Sequence, residues 1–270
     1  MQILAALCKA GNRAPELKRV GYSLYSSTAF HHVPLTPLRR HSLVWLSHAP
    51  QPALAGEATD VDQWHADGYP FVVCRQRDEG DLLSLGFCLP APGRRPRRIG
   101  VNSRPVEILR VARPPWLKDV ATAAFEPDTA CRDGCANRPS GVEAVGTTAS
   151  TINCRDQVAA LIRLSDAAAK AGLDVRVFGS WMWQALTGGL HVNESSDLDV
   201  LIDVSTASDA GRAADFLQGA AAECPFALDG ELSISGLGEV HWREYLNGGP
   251  ELLVKSINAV RMLPREDLWK

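Results

Sequence analysis

Two stretches decide the fold of this chain: Val175-Arg176-Val177-Phe178-Gly179-Ser180 and Ser196-Asp197-Leu198-Asp199-Val200-Leu201-Ile202. The first is a short apolar run that ends in a glycine–serine pair, and the second is an acidic pair that enters another apolar run. Short apolar runs bounded by turn residues predict buried strands, and Trp181 to Thr187 between them predicts a helix. A strand, a helix and a second strand in this order predict a sheet that is covered by helices.

The pattern continues on both sides of these stretches. Apolar residues at helical spacing begin near Asp156 and Gly172 is placed to stop that helix, while Ser205 or Thr206 can cap another that runs to about Ala222. Further strands are predicted at Ala227–Ile234, Glu239–Trp242 and Leu252–Ser256. The resulting β-α-β-α-β order predicts an α/β (α+β) fold class for residues 152–270, with a mixed sheet flanked by helices.

The first half of the chain predicts a smaller α/β domain over residues 40–125. Its signals are the apolar segment from His41 to Leu46 and two short strands, at Pro70–Arg75 and Leu82–Leu89. Residues 126–151 are rich in Gly, Ser, Thr, Pro and Asn and predict a linker. Residues 1–39 predict a disordered extension without a folded partner.

Composition and charge narrow the class of protein. The chain has 270 residues, of which 46% are hydrophobic and 22% charged, as is usual for globular proteins. No stretch reaches the roughly 18 uninterrupted apolar residues that a membrane helix needs, so we expect no membrane partner. Residues 1–150 hold 18 basic and 14 acidic side chains, whereas residues 151–270 hold 10 basic and 17 acidic ones. An acidic second half argues against a nucleic-acid partner, because such binding depends on Lys and Arg at the phosphates.

The seven cysteines are odd in number and irregular in spacing. This pattern argues against a framework of disulfides and favours a reducing, cytoplasmic setting.

Gly179-Ser180 is the first candidate site, because it lies where a predicted strand passes into a predicted helix. Glycine lets the backbone turn sharply and approach a ligand closely. The helix start offers free N–H groups and the positive end of the helix dipole, and the Ser180 hydroxyl adds a donor. Together they can hold the terminal phosphates of a polyphosphate.

Asp197 and Asp199 form the second candidate site. Side chains alternate along a strand, so these two carboxylates share one face, about 7 Å apart at a rise of about 3.3 Å per residue. Paired carboxylates suit one or two Mg²⁺ ions, which bind oxygen and keep positions for substrate phosphates. An acidic domain that handles polyphosphates needs such cations.

A third acid is expected on a neighbouring strand, where Asp229 and Glu231 also share a face; Glu239 and Glu244 are weaker candidates. Ordinary alternatives exist, because Gly-Ser pairs are common in turns and Asp229-Gly230 is also typical of a hairpin turn. The ordered combination of strand, Gly-Ser, helix, acid pair and strand favours a functional site.

Three further groups of residues have two interpretations each. Lys255 can contact phosphate or be a charge at a strand edge. Arg94, Arg95, Arg97 and Arg98 can receive a diphosphate or an acidic protein, or form a solvated basic loop. Trp181 and Trp183 are expected in the core rather than under an adenine ring.

The order of these motifs resembles the polymerase-beta-like nucleotidyltransferase superfamily. Within it, the chain is similar to the malonate decarboxylase holo-acyl-carrier-protein synthase family, also called phosphoribosyl-dephospho-CoA transferases. The similarity rests on Val175–Ser180, Trp183–Gly188, Ser196–Leu201, Asp229–Glu231, Trp242–Glu244 and Leu253–Lys255, and more weakly on Arg40–Leu46. It covers about residues 40–268.

The resemblance implies a definite reaction. Members of the family transfer the phosphoribosyl-dephospho-CoA group from 2′-(5″-triphosphoribosyl)-3′-dephospho-CoA to a serine of the apo acyl-carrier subunit of malonate decarboxylase, and pyrophosphate leaves. By the resemblance, Gly179 and Ser180 hold the leaving phosphates and Asp197 and Asp199 bind Mg²⁺. The third acid is Asp229 or Glu231, and the choice stays open.

Other functions remain open at this point. The acceptor can be the carrier of citrate lyase or the hydroxyl of a small molecule. A module of the same fold can also bind nucleotide or a partner protein without catalysis. An intact set of three acids argues against that last alternative, because a pure binder does not need them.

Overall fold

The computed structural model describes residues 38–76, 80–90, 96–125, 154–193 and 195–270. The predicted linker at 126–151 lies outside the described residues, as does nearly all of the predicted extension at 1–39 and the part of the basic loop that holds Arg94 and Arg95.

The first sheet is antiparallel throughout and is built from the first half of the chain. Its order is β2-β5-β4-β3-β1-β6. The strands are β1 (Leu43–Leu46), β2 (Gln51–Pro52), β3 (Phe71–Val73), β4 (Leu83–Leu89), β5 (Arg97–Ser103) and β6 (Ile108–Ala112). The helices of this half are α1 (Ala58–Ala66) and α2 (Leu117–Phe125).

The second sheet is mixed, and its order is β12-β11-β10-β9-β8-β7. Its strands are β7 (Val175–Phe178), β8 (Leu198–Val204), β9 (Leu228–Ile234), β10 (Gly238–His241), β11 (Glu251–Lys255) and β12 (Val260–Pro264). The helices are α3 (Cys154–Lys170), α4 (Gly179–Thr187), α5 (Ala207–Glu223) and α6 (Trp242–Leu246). Strands β8 and β9 run parallel, whereas the other neighbouring pairs run antiparallel. The predicted α/β (α+β) fold class with a mixed sheet is confirmed.

Local signals explain the main boundaries. Gly172 adopts a left-handed backbone (φ 65°) just after α3, and Thr206 caps α5 by accepting from the backbone N–H of Asp209 at 3.1 Å. Trp242, predicted at the end of a strand, instead begins α6, because His241 caps this helix through its ring nitrogen.

The hairpin-turn interpretation of Asp229-Gly230 is wrong. Both residues lie inside β9, and a Cβ at Gly230 would come within 3.1 Å of Trp242, Leu217 and Val200. The glycine is required because α5 and α6 pack directly on this point of the strand. Its neighbours Asp229 and Glu231 therefore point to the opposite face of the sheet.

The two halves share one hydrophobic core. The Trp64 ring of α1 meets the Trp183 ring of α4 edge-on, with centroids 5.3 Å apart, and Tyr69 donates to the carbonyl of Thr187 at 3.3 Å. Trp181 and Trp183 are buried, as predicted. Within the described ranges, none of the helices combines the length and apolar character that a membrane span needs.

Candidate functional site

Strand pairing places three aspartates together at one end of the second sheet. In the parallel pair β8–β9, Asp199 lies directly opposite Asp229, and Asp197 immediately precedes β8. One carboxylate oxygen from each of the three lies within 4.8 Å of the others. Of the two candidates for the third acid, Asp229 is therefore the one that joins Asp197 and Asp199. We call these three residues the aspartate triad.

Gly179 brings the start of α4 against the triad. Its backbone is left-handed (φ 69°), and a Cβ built on it would lie 1.8 Å from Oδ2 of Asp199. Only glycine fits here, because both the backbone conformation and the space exclude a side chain. Ser180 lies in the first turn of α4, so the glycine–serine bend and the acid pair are neighbours in space.

The negative charges of the aspartate triad repel one another. Burial raises the pKa of Asp199 to about 7, and the charges of the other two aspartates and of Glu231 add to the effect. The exposed Arg98 acts in the opposite direction. Clustered carboxylates that repel one another and expose oxygen atoms fit a divalent cation with a preference for oxygen ligands. The residues present can therefore hold such a cation.

Glu231 belongs to a different group of charges, although it shares a face of β9 with Asp229. It is buried and accepts hydrogen bonds from Arg40 at 3.3 Å, from His41 at 3.1 Å and from Lys255 at 2.9 Å. Arg40 also donates to the buried Glu239 at 3.0 Å. We call these five residues the glutamate cluster.

The partners decide the charge of Glu231. Burial by itself raises the pKa of Glu231, but the hydrogen bond from His41 and the charge of Arg40 outweigh it, so this pKa lies well below its ordinary range. Burial raises the pKa of Glu239 to about 7, although Arg40 opposes the shift. Burial also lowers the pKa of His41.

The remaining predicted residues lie outside the triad. Lys255 is on β11, an interior strand, and bonds Glu231, so it is not a charge at a strand edge. The Glu244 carboxylate accepts the backbone N–H of Leu253 at 2.7 Å. The loop prediction is wrong for Arg97 and Arg98, which begin β5 and pair with β4. Arg97 also pairs with Asp60, whereas the charge of Arg98 acts on Asp199.

Three residues of this region have no counterpart in the sequence-based site. Arg40 and His41 come from the segment before β1 and reach Glu231 across 191 and 190 residues of chain. The weak resemblance over Arg40–Leu46 was the sequence signal at these two positions, but nothing in it linked them to Glu231. His241 contacts Asp229, with Nε2 2.8 Å from Oδ1. Its position two residues after Glu239 gave a signal, because alternate residues of a strand share a face.

Comparison with known proteins assigns both halves of the chain. Residues 147–266 match the family model described as "Phosphoribosyl-dephospho-CoA transferase MdcG C-terminal domain". Residues 39–114 match the corresponding N-terminal domain. The chain belongs to the phosphoribosyl-dephospho-CoA transferase family. The resemblance noted from the motifs is confirmed, and it extends to the N-terminal half, where the motifs were weaker.

Individual relatives agree with this assignment. A phosphoribosyl-dephospho-CoA transferase of Xanthomonas axonopodis pv. citri is 32% identical over 238 residues, which is 85% of this chain and 96% of the relative. One from Bradyrhizobium diazoefficiens is 30% identical over 236 residues, which is 85% of this chain and 91% of the relative. No solved structure matches the chain significantly. The protein is thus a transferase of this family, and its aspartate triad lies in the C-terminal domain of the family.

Proposed function

We propose that this protein transfers the phosphoribosyl-dephospho-CoA group from 2′-(5″-triphosphoribosyl)-3′-dephospho-CoA to a serine of the apo acyl-carrier subunit of malonate decarboxylase. The observation that carries the proposal is the convergence of three carboxylates beside the Gly179-Ser180 bend. Family membership supports the donor group. The malonate decarboxylase carrier and its serine come from the motif resemblance.

Asp197, Asp199 and Asp229 are the residues that would hold Mg²⁺ in this proposal. When bound, Mg²⁺ supplies positive charge that offsets the three carboxylates and the charge that develops on the departing pyrophosphate. The raised pKa of Asp199 supports this assignment, because a site with excess negative charge favours a bound cation.

The chain's own groups position the donor. The N–H groups at the start of α4 and the Ser180 hydroxyl would hold the β- and γ-phosphates. Gly179 keeps the backbone close enough for this contact, since it has no side chain between α4 and Asp199. Lys255 is 28% exposed and already bonds Glu231, so any contact it makes with the donor would use its remaining N–H groups.

The reaction is an in-line displacement at the α-phosphorus. The serine oxygen forms a bond to that phosphorus, the bond to the oxygen that bridges to the β-phosphate breaks, and pyrophosphate carries away the electron pair. We assign Asp229, whose side chain is 47% exposed, to orient the attacking hydroxyl, whose proton passes to solvent. Rate acceleration then depends mainly on positioning and electrostatics.

Intact-mass measurement of the apo carrier subunit tests this function. After incubation with the protein, Mg²⁺ and the donor, we expect the carrier to gain the mass of one phosphoribosyl-dephospho-CoA group, with matching release of pyrophosphate. A carrier whose serine is replaced by alanine should gain nothing. Asp199→Asn should abolish the gain.

Asp203→Asn is the matched control, because Asp203 lies on the same strand and face but pairs with Arg113 at 2.7 Å, outside the triad. This variant should keep the activity. Pyrophosphate release without a carrier, or with only the citrate lyase carrier or a small-molecule hydroxyl, would contradict the proposed acceptor. No mass gain and no pyrophosphate under any condition would indicate a binding module.

A further inference from the structure

His241 contacts the aspartate triad, and the proposed function gives this histidine no role. It is the last residue of β10, next to β9, and its side chain is 26% exposed. Its Nε2 lies 2.8 Å from Oδ1 of Asp229. Diagonal neighbours on adjacent antiparallel strands are within reach of long side chains, which explains the contact.

A second hydrogen bond fixes the position of the proton on this ring. The backbone N–H of Arg243 donates to Nδ1 of His241 at 3.1 Å. A backbone N–H can only donate, so Nδ1 must accept and carries no proton. The proton of the neutral ring is therefore on Nε2, which donates it to the Asp229 carboxylate. The start of α6 thus selects one tautomer of His241.

We propose that His241 is a positioning residue that holds Asp229 by its Oδ1 and leaves Oδ2 to the cation and the acceptor hydroxyl. The inference rests on the proposed metal site of the aspartate triad. Histidine and carboxylate groups that bond metal ligands orient those ligands, and their loss costs about 10- to 100-fold in metal affinity or activity. Because Nδ1 is engaged and Nε2 is already protonated, His241 does not take the proton of the acceptor hydroxyl.

Two substitutions separate this role from the capping of α6. Asn is among the best helix caps and can still accept the Arg243 N–H, but its side chain is too short to reach Asp229. Gln is longer, and its amide N–H can donate to the Asp229 carboxylate. His241→Asn should therefore lose the orientation of Asp229 while keeping the helix, and His241→Gln should recover much of it.

The first measurement is ¹⁵N NMR of the histidine rings in the full chain, with the His241 signals assigned by their loss in His241→Asn. We expect a proton on Nε2 and none on Nδ1. A proton on Nδ1 would overturn the inference, whatever the fate of the proposed function.

The second measurement is Mn²⁺ binding to the full chain, followed by electron paramagnetic resonance. His241→Asn should bind Mn²⁺ about 10- to 100-fold more weakly than the wild type, and His241→Gln within a few-fold of it. Urea unfolding should show both variants folded. Equal affinities of the wild type and His241→Asn would overturn the positioning role alone. A wild type that binds no Mn²⁺ would overturn the metal site and this role with it.

Discussion

Two groups of carboxylates lie on one face of the second sheet, and Glu231 in one is in the opposite electrostatic state to Asp199 in the other. Glu231 of the glutamate cluster is compensated, because Arg40, His41 and Lys255 surround it and hold its pKa well below the ordinary range. The aspartate triad is not compensated. Among the described residues, no arginine or lysine forms an ion pair with it, and repulsion within the site contributes to a pKa of about 7 at Asp199.

The contrast is sharpest on β9, where Asp229 and Glu231 are two residues apart on the same face. Their roles differ because of what faces them. Glu231 faces Arg40 and His41 from the N-terminal half and Lys255 from β11, so its charge is neutralised inside the protein. Asp229 faces two other carboxylates, and in the proposed function a bound cation balances them. The charge of a compensated group is satisfied inside the protein, whereas an uncompensated cluster is a candidate site for a substrate or a cation.

The largest expected effect separates these two acids by activity. Asp229→Asn should lower the rate of carrier modification at least about 1000-fold, or about 4 kcal/mol, because it removes a ligand of the cation. Glu231→Gln should lower it less than about tenfold, since the triad stays intact. Pyrophosphate release under saturating donor and carrier measures both, and circular dichroism checks the fold. Similar losses of activity in the two variants would contradict the different roles of Asp229 and Glu231.

The second-largest expected effect is a loss of folding stability when the glutamate cluster is changed. Arg40→Ala leaves two buried carboxylates without their shared partner, and we expect it to cost about 3 kcal/mol in the free energy of unfolding. Arg113→Ala is the control, because it also removes an ion pair between the halves. Asp203, however, is 44% exposed and keeps Arg39 at 3.6 Å, so the loss should stay below about 1 kcal/mol. Urea unfolding measures both; equal costs would contradict a special role for Arg40.

The smallest expected effect is a gain in the free energy of unfolding when Asp199 of the aspartate triad is replaced by asparagine. The folded protein keeps the proton of Asp199 up to a pKa of about 7, whereas the ordinary value is 3.8, so this group lowers stability as the pH rises from about 4 to about 7. Asp199→Asn removes the penalty. Each unit of pKa shift corresponds to about 1.4 kcal/mol, and after allowance for solvent screening we expect a gain of about 2 kcal/mol at pH 8.

Urea unfolding in EDTA at pH 4, 6 and 8 measures this gain, which should be close to zero at pH 4. Addition of Mg²⁺ at pH 8 should stabilise the wild type but not the variant. A difference between the two proteins that does not change with pH would show that Asp199 carries no such penalty.

Local patterns were sufficient for the elements that position the triad. The apolar run that the acidic pair enters predicted β8, and Gly179-Ser180 was correctly placed at a strand-to-helix junction. These features depend on neighbours in sequence. The choice of the third acid between Asp229 and Glu231 could not be made from neighbours in sequence, because it required the pairing of Asp199 with Asp229 across two parallel strands.

Non-local packing also decided the features that sequence patterns missed. Asp229-Gly230 has the composition of a turn, yet α5 and α6 pack where a side chain would be, so the strand continues. Arg40 and His41 reach Glu231 from the opposite half of the chain, and the spacing of residues does not record such contacts.

Crystals of the full chain soaked in Mn²⁺, with anomalous diffraction measured at the manganese edge, test the central claim most directly. We expect an anomalous peak among the carboxylate oxygens of Asp197, Asp199 and Asp229, and none beside Glu231 or Glu239. A peak at the glutamate cluster, or an empty triad at saturating Mn²⁺, would contradict the account.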